Sequence, residues 1–327
     1  MTKGTAPNYS DLILAARNIC QFIHPTPLFH SSILDESVGG RILLKAETLQ
    51  RTGSFKFRGA FNKMRLLKAQ KNHTEIVSWS SGNHAQAVAA AANILGQHAT
   101  IIMPTDAPKA KIDGTQRYGS EIIFYNRENE VREKIGERVA KERDAIIVPP
   151  YDDPDVIAGQ GTVGLEIASQ ALARDIIPDI ALVPCGGGGL VAGCAIALQT
   201  QFPSIRVHPV EPENFDDTTR SLVSQKRMKN ETGHQSICDS LLAPTPGSLT
   251  FEINAERLSD GVVVTDEQVL NAMRFAFRHF KLVVEPSGAI ALAALLANKP
   301  SYRNKTVVVL LSGGNVDNQI FGQALGS

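Results

Sequence analysis

The chain is poor in the features that would declare its class at a glance. Its 327 residues carry 33 basic and 33 acidic side chains and eight histidines. A chain so balanced lacks the global field that draws a protein to nucleic acid or an anionic membrane. No stretch approaches about 20 uninterrupted apolar residues, and the amino terminus, MTKGTAPNYSDL, lacks the basic-then-apolar order of a secretory signal. These absences predict a cytoplasmic protein with neither a nucleic-acid nor a membrane partner. Four cysteines, Cys20, Cys185, Cys194 and Cys238, stand apart with no C-x-x-C pair, which fits reduced thiols better than a disulfide frame or a zinc site. Core material is not lacking. With 43% apolar and 20% charged residues, disordered, collagen-like and coiled-coil classes are excluded.

Short apolar runs alternate with segments of helical period. The runs cover 41–47, 75–80, 99–104, 121–125, 145–150, 179–184, 206–211, 261–265 and 305–312. Helix-like stretches lie between them, at 83–95, 131–143, 155–173, 190–201, 266–280 and 288–298. This alternation predicts an α/β protein whose mostly parallel sheets are covered by helices. In such folds ligands bind beyond the carboxyl ends of the strands, where loops and helix amino ends meet.

Four of those loops have unusual chemistry. Cys185-Gly186-Gly187-Gly188-Gly189 follows a strand-like run and opens a helix-like one, a pattern that suits an anion such as phosphate because backbone N–H groups can approach it closely. Gly187, Gly189 and Ala192 also fit G-x-G-x-x-A with Glu211 about 20 residues on, so a dinucleotide site remains open here. Ser80-Ser81-Gly82-Asn83-His84 offers hydroxyls, an amide and helix-start N–H groups, which suit a carboxylate. In Ser54-Phe55-Lys56-Phe57-Arg58-Gly59 the lysine is flanked by aromatics, and burial would lower its pKa toward that of a nucleophile and base. Ser312-Gly313-Gly314-Asn315 places a hydroxyl where it could meet a ring atom.

SFKFRGA, SSGNHAQ, the AGQGT after YDDPD, CGGGGL and SGGN, in this order, resemble the serine racemase and threonine/serine dehydratase family of fold-type II pyridoxal-phosphate enzymes. The resemblance implies a two-domain, tryptophan-synthase-β-like fold. Residues 1–75 and 149–327 would form the large cofactor-binding domain, and 76–148 a small mobile one. It implies that Lys56, beside Phe55, carries pyridoxal 5′-phosphate as an imine and acts as base at Cα. Asn83 would bond the pyridoxal 3′-oxygen, Gly186, Gly187, Gly188 and Gly189 the phosphate, and Ser312 the pyridine nitrogen. Ser80, Ser81, Asn83 and His84 would surround the substrate carboxylate, with Ser81 matching the second proton-transfer residue of the racemases. A divalent cation, Mg2+ or else Ca2+ or Mn2+, would be held by Glu211, the carbonyl of Phe215 and Asp217, since oxygen ligands suit hard cations.

The resemblance further implies a homodimer acting on a small amino acid. The leading expectation is a dehydratase that eliminates water from L-threonine or L-serine to give a 2-oxo acid and ammonia. Serine racemase and 3-hydroxyaspartate dehydratase are alternatives within the scaffold, and a nicotinamide-dependent dehydrogenase is the alternative outside it. Cys238-Asp239-Ser240 replaces the Ala-Asp-Gly common in the family, and an unusual LLAPTPGSLTF follows. Arg132 aligns with a family arginine near the substrate's distal end and could take a second carboxylate. The short tail after SGGN implies no isoleucine-sensing regulatory domain.

Overall fold

The computed structural model describes residues 5–71, 75–80, 82–107, 109–126 and 128–326. Ten strands are present among them: β1 (Leu28–His30), β2 (Arg41–Ala46), β3 (Glu75–Trp79), β4 (His98–Pro104), β5 (Glu121–Tyr125), β6 (Ile146–Ile147), β7 (Ile180–Pro184), β8 (Arg206–Pro212), β9 (Val262–Val264) and β10 (Thr306–Leu311). They form a six-stranded sheet, β1-β2-β10-β7-β8-β9, and a four-stranded sheet, β5-β4-β3-β6. All these pairings are parallel except β1 with β2. The α/β class with parallel, helix-covered sheets is therefore as the sequence predicts. The antiparallel edge strand β1 is not legible in the sequence: its three residues follow Pro25 and Pro27 and carry no alternation long enough to read.

Among the described residues, thirteen α-helices cover the sheets: α1 (Tyr9–Ile19), α2 (Ser32–Val38), α3 (Lys56–Lys71), α4 (Asn83–Leu95), α5 (Lys109–Gln116), α6 (Arg132–Glu142), α7 (Pro154–Leu172), α8 (Gly189–Gln201), α9 (Asp217–Ser224), α10 (Ser248–Arg257), α11 (Asp266–Phe275), α12 (Pro286–Ala297) and α13 (Asn318–Gly326). Central strands such as β7 and β10 are buried on both faces, so they read as unbroken apolar runs. α12 and α8 are apolar nearly all round because each is buried over most of its surface. No described helix is long and apolar enough to cross a membrane, and all four cysteines are free.

The α3–α7–α8 layer explains the AGQGT motif, which falls in the helix-like stretch 155–173 read from the sequence. AGQGT is helical and lies within α7. A Cβ on Gly159 would stand 2.6 Å from the Gly59 Cα, and one on Gly193 would stand 2.6 Å from the Gly161 nitrogen. These glycines let three helices cross at backbone contact, and none of them borders the cavity described below.

The same layer buries an ionic cluster. Arg58 forks onto Glu47 through Nε and Nη2, both at 2.8 Å, and reaches Glu166 through Nη1 at 2.7 Å. Lys45 closes the set on Glu166 at 2.8 Å. The side chains of Arg58, Glu47 and Lys45 have no solvent exposure.

Candidate active site

One cavity collects most of the residues singled out from the sequence. Phe55, Lys56, Ser80, Asn83, His84, Arg132, Gly186, Gly187, Gly188, Gly189 and Ser312 all border it. Ser81 lies outside the described residues. Glu211, Phe215 and Asp217 are elsewhere, at the end of β8 and the start of α9.

The site is stitched from three loops that begin at strand ends. The peptide N–H of Phe55 donates to the Ser312 carbonyl at 3.1 Å, and that of Gly314 to the Gly53 carbonyl at 2.9 Å. Lys56 therefore opens α3 against the end of β10, where Ser312 is buried. The Lys56 ammonium donates to the Pro150 carbonyl at 2.7 Å and sits 5.2 Å from the Phe55 ring centre. Among the described residues no carboxylate compensates its burial, which pulls its pKa down from 10.5 to about 8. At pH 7 about a tenth of this amine is neutral and available as nucleophile or base, against well under a thousandth for a lysine at 10.5.

Two helix amino ends face the same cavity, and neither has a side-chain cap. Gly188 caps α8 at φ 91°, where only glycine is relaxed, and Gly82 caps α4. Each end presents unpaired N–H groups and the positive pole of a helix, which suits an anion. The Gly186–Gly189 loop is fixed from behind: the Thr250 hydroxyl donates to the Gly187 carbonyl at 2.7 Å, and the Asn254 amide to that of Gly188 at 3.4 Å. A Cβ on Gly187 would lie 2.4 Å from the Tyr151 ring, so the loop backbone and that ring are in direct contact.

Asn83 is held on both sides of its amide. Its Oδ1 accepts from Asn315 Nδ2 at 2.8 Å, and its Nδ2 donates to Glu285 Oε1. One Asn83 N–H is left for a ligand. Glu285 was not singled out by sequence reasoning. It precedes Pro286 at the start of α12, which reads as an ordinary acidic helix start. The structure buries it in the cavity wall with Oε2 unpartnered. Burial, reinforced by Asp239, raises its pKa to about 7 against the opposing pull of Lys111 and the Asn83 bond.

His84 is a neutral ring. Burial, with the Lys56 charge nearby, lowers its pKa to about 3. Its Nε2 meets the Val148 carbonyl at 3.1 Å, and a carbonyl only accepts, so Nε2 carries the proton and Nδ1 is left as a buried, unpartnered acceptor. The ring therefore offers no donor to a carboxylate; Ser80 and the uncapped amino end of α4 are the donors beside it in the cavity wall.

Arg132, the first residue of α6, borders the cavity beside Trp79 and Tyr151. Its Nε donates to Glu133 at 2.8 Å, and that pairing outweighs burial, so it stays a full cation. Asp239, Ser240, Leu241, Leu242 and Ala243 supply the opposite wall. Lys111 of α5, paired with Asp239, ties the four-stranded unit to that wall.

Glu211 does not reach the cavity, which removes the dinucleotide alternative built on it. Its carboxylate accepts from the N–H groups of Thr218 and Thr219 and from the Thr219 hydroxyl, at 2.6 to 2.9 Å. Asp217 accepts from Asn230 through Oδ1 at 2.7 Å, while its Oδ2 is buried without a partner. Burial raises the pKa of Glu211 to about 8, with Asp217 adding to it, and that of Asp217 to about 7. Among the described residues no group of three His, Cys, Asp or Glu side chains forms a metal cluster. A site here has two carboxylates and a carbonyl at most.

Comparison with known proteins gives a consistent picture. A family model described as "Pyridoxal-phosphate dependent enzyme" matches residues 19–313. An L-threo-3-hydroxyaspartate ammonia-lyase from Pseudomonas sp is 40% identical over 318 residues, 97% of this chain and 98% of that protein. A serine racemase from Schizosaccharomyces pombe is 38% identical over 312 residues, covering 95% of each. The solved structure of maize serine racemase superposes with a TM-score of 0.91 at 35% identity, over 98% of this chain and 97% of that one.

Proposed function

The chain belongs to the pyridoxal-phosphate-dependent enzyme family, and we propose that it is an ammonia-lyase converting a β-hydroxy amino acid into a 2-oxo acid and ammonia. The observation that carries the proposal is Lys56: an amine lowered to about 8, in one cavity with two uncapped helix amino ends. The glycine cradle and the remaining Asn83 N–H fit the cofactor. Gly186–Gly189 would hold its phosphate, Asn83 and Ser312 its ring heteroatoms, and Lys56 its carbonyl carbon. Bound there, the cofactor supplies an electron sink for the pair left when the substrate Cα–H bond breaks. Lys56, once free, takes that proton. Ser80 and the α4 N–H groups fix the substrate carboxylate, the Cβ–O bond breaks, and the departing hydroxide gains the proton that Lys56 removed and leaves as water. Hydrolysis of the released enamine yields the 2-oxo acid and ammonia.

Arg132 favours one substrate class over the others. A permanent cation in the wall of an amino-acid site suits a second carboxylate through paired N–H bonds, and a relative at 40% identity is named for L-threo-3-hydroxyaspartate. We therefore place 3-hydroxyaspartate ahead of L-threonine and L-serine. Racemisation through Lys56 and Ser81 is the alternative chemistry.

Segment 76–148, carrying the four-stranded sheet, is proposed as the small domain that closes over substrate, with the Lys111–Asp239 pair as a closed-state contact. Mg2+ is proposed at Glu211, the Phe215 carbonyl and Asp217, because the orphaned Asp217 Oδ2 and its acidic neighbour fit a hard cation. A cytoplasmic homodimer completes the reading.

The test is ammonia release from L-serine, D-serine, L-threonine and the 3-hydroxyaspartate isomers, with Mg2+ and with EDTA. D-serine is assayed as a product of L-serine in parallel. Lys56→Ala loses both the visible absorbance of bound cofactor and activity; retention of either refutes the assignment. An unchanged melting curve and rate in EDTA refutes the metal. Light scattering checks the dimer.

A further inference from the structure

The only tryptophan of the chain, Trp79, ends β3 and borders the cavity beside Arg132. Behind it stands Gly136, buried in the middle of α6. Glycine is the poorest helix former after proline, so a mid-helix glycine calls for a packing reason. The reason is the indole: a Cβ on Gly136 would lie 2.6 Å from Trp79 Cε3 and 2.8 Å from Cζ3. The α6 backbone rests on the six-membered ring. Residues four apart share a helix face, so Gly136 and Arg132 belong to the same face, one turn apart. Whatever fixes the height of α6 over Trp79 also fixes how far Arg132 enters the cavity.

We propose that the Trp79–Gly136 contact is a specificity-determining seat, which sets the Arg132 guanidinium at the distance that receives the side-chain carboxylate of an acidic substrate. The inference rests on the reading of Arg132 given above. Trp79 and Gly136 act through Arg132 and are positioning residues. A methyl group on Gly136 lifts the first turn of α6 and withdraws the cation, while the carboxylate and cofactor contacts made by α4 and α8 are untouched.

The test compares Gly136→Ala, Trp79→Leu, their double variant and Arg132→Ala in the holoenzyme. For Gly136→Ala the KM for L-threo-3-hydroxyaspartate is expected to rise about tenfold or more, as for a misplaced charge-assisted contact. The kcat and KM for L-serine should stay within about twofold. Trp79→Leu shows the same selective loss, because α6 has lost its stop. The double variant recovers selectivity, since the added methyl fills space the indole vacates. Quenching of the Trp79 fluorescence by succinate follows binding without turnover, and Gly136→Ala requires a correspondingly higher concentration.

Equal losses on both substrates in Gly136→Ala, or an unchanged ratio, overturn the seat. Should that variant not melt cooperatively, Trp79→Leu alone decides, and unchanged selectivity in it overturns the seat. Arg132→Ala separates the two levels. If it leaves the substrate ratio unchanged, the reading of Arg132 is wrong. If it shifts the ratio while Gly136→Ala does not, only the seat is wrong.

Discussion

Replacing Arg58 by methionine removes the centre of the buried ionic cluster while preserving most of the side-chain volume. Arg58 makes two 2.8 Å bonds to Glu47 and one of 2.7 Å to Glu166, with its own side chain and that of Glu47 shut off from solvent. In Arg58→Met, Glu166 keeps Lys45, but Glu47 is left with the Thr26 hydroxyl alone among its described side-chain donors. At an effective dielectric of 20, a unit pair at 2.8 Å interacts by roughly 6 kcal/mol, much of which is offset by desolvation. The net cost of stranding a buried carboxylate is about 3–5 kcal/mol. Glu47→Gln in the same background removes the stranded charge and should restore about 2 kcal/mol or more, so the two substitutions couple strongly. Urea unfolding of the wild type, both single variants and the double variant, followed by circular dichroism, measures all four corners. A loss below about 1 kcal/mol for Arg58→Met, or a double variant as unstable as the sum of the singles, would refute the argument. The cluster also bears on function, because Arg58 lies two residues along α3 from Lys56.

Capture of cofactor by the apoenzyme depends on neutral Lys56, so its rate should climb as pH rises through about 8 and level off above, whereas an ordinary lysine would keep climbing toward 10.5; stopped-flow absorbance distinguishes the two. Gly187→Ala drives a Cβ to within 2.4 Å of the Tyr151 ring, and cofactor affinity should fall about tenfold or more, measured by fluorescence titration. Glu285 is protonated more readily folded than unfolded, with its folded pKa raised from 4.5 to about 7. Its stabilising contribution is complete below pH 4.5 and is lost as pH rises to about 7, amounting to roughly 3 kcal/mol. Glu285→Gln should flatten that limb of the stability profile, and an unchanged slope between those pH values would count against a buried carboxyl.

The central strands were legible because burial on both faces leaves a run such as Thr306–Leu311 with nowhere to place a polar residue. Edge elements were not: β1 has three residues, and the run at 145–150 yields only Ile146–Ile147 before Pro149 and Pro150 end it. The cavity was legible where chemistry demands rare patterns, such as four successive glycines or a lysine between two aromatics. The helix carrying AGQGT was legible, but the reason for its glycines was not, because sequence alone does not say whether a backbone is approached by a ligand or by another helix. Glu285 was missed because its burial is imposed by α4, some 200 residues away in the chain, and by the SGGN loop; nothing local signals it.

The pairing of β2 with β10 joins residues 41–46 to 306–311. A growing chain can complete the four-stranded sheet, residues 75–147, long before β10 exists. It cannot insert the strand that lies between β2 and β7 until residues 306–311 have been made. Phe55 gains its Ser312 partner only then. Biogenesis therefore orders the assembly: the reactive amine acquires its setting only after β10 has been made, and cofactor loading must wait for it.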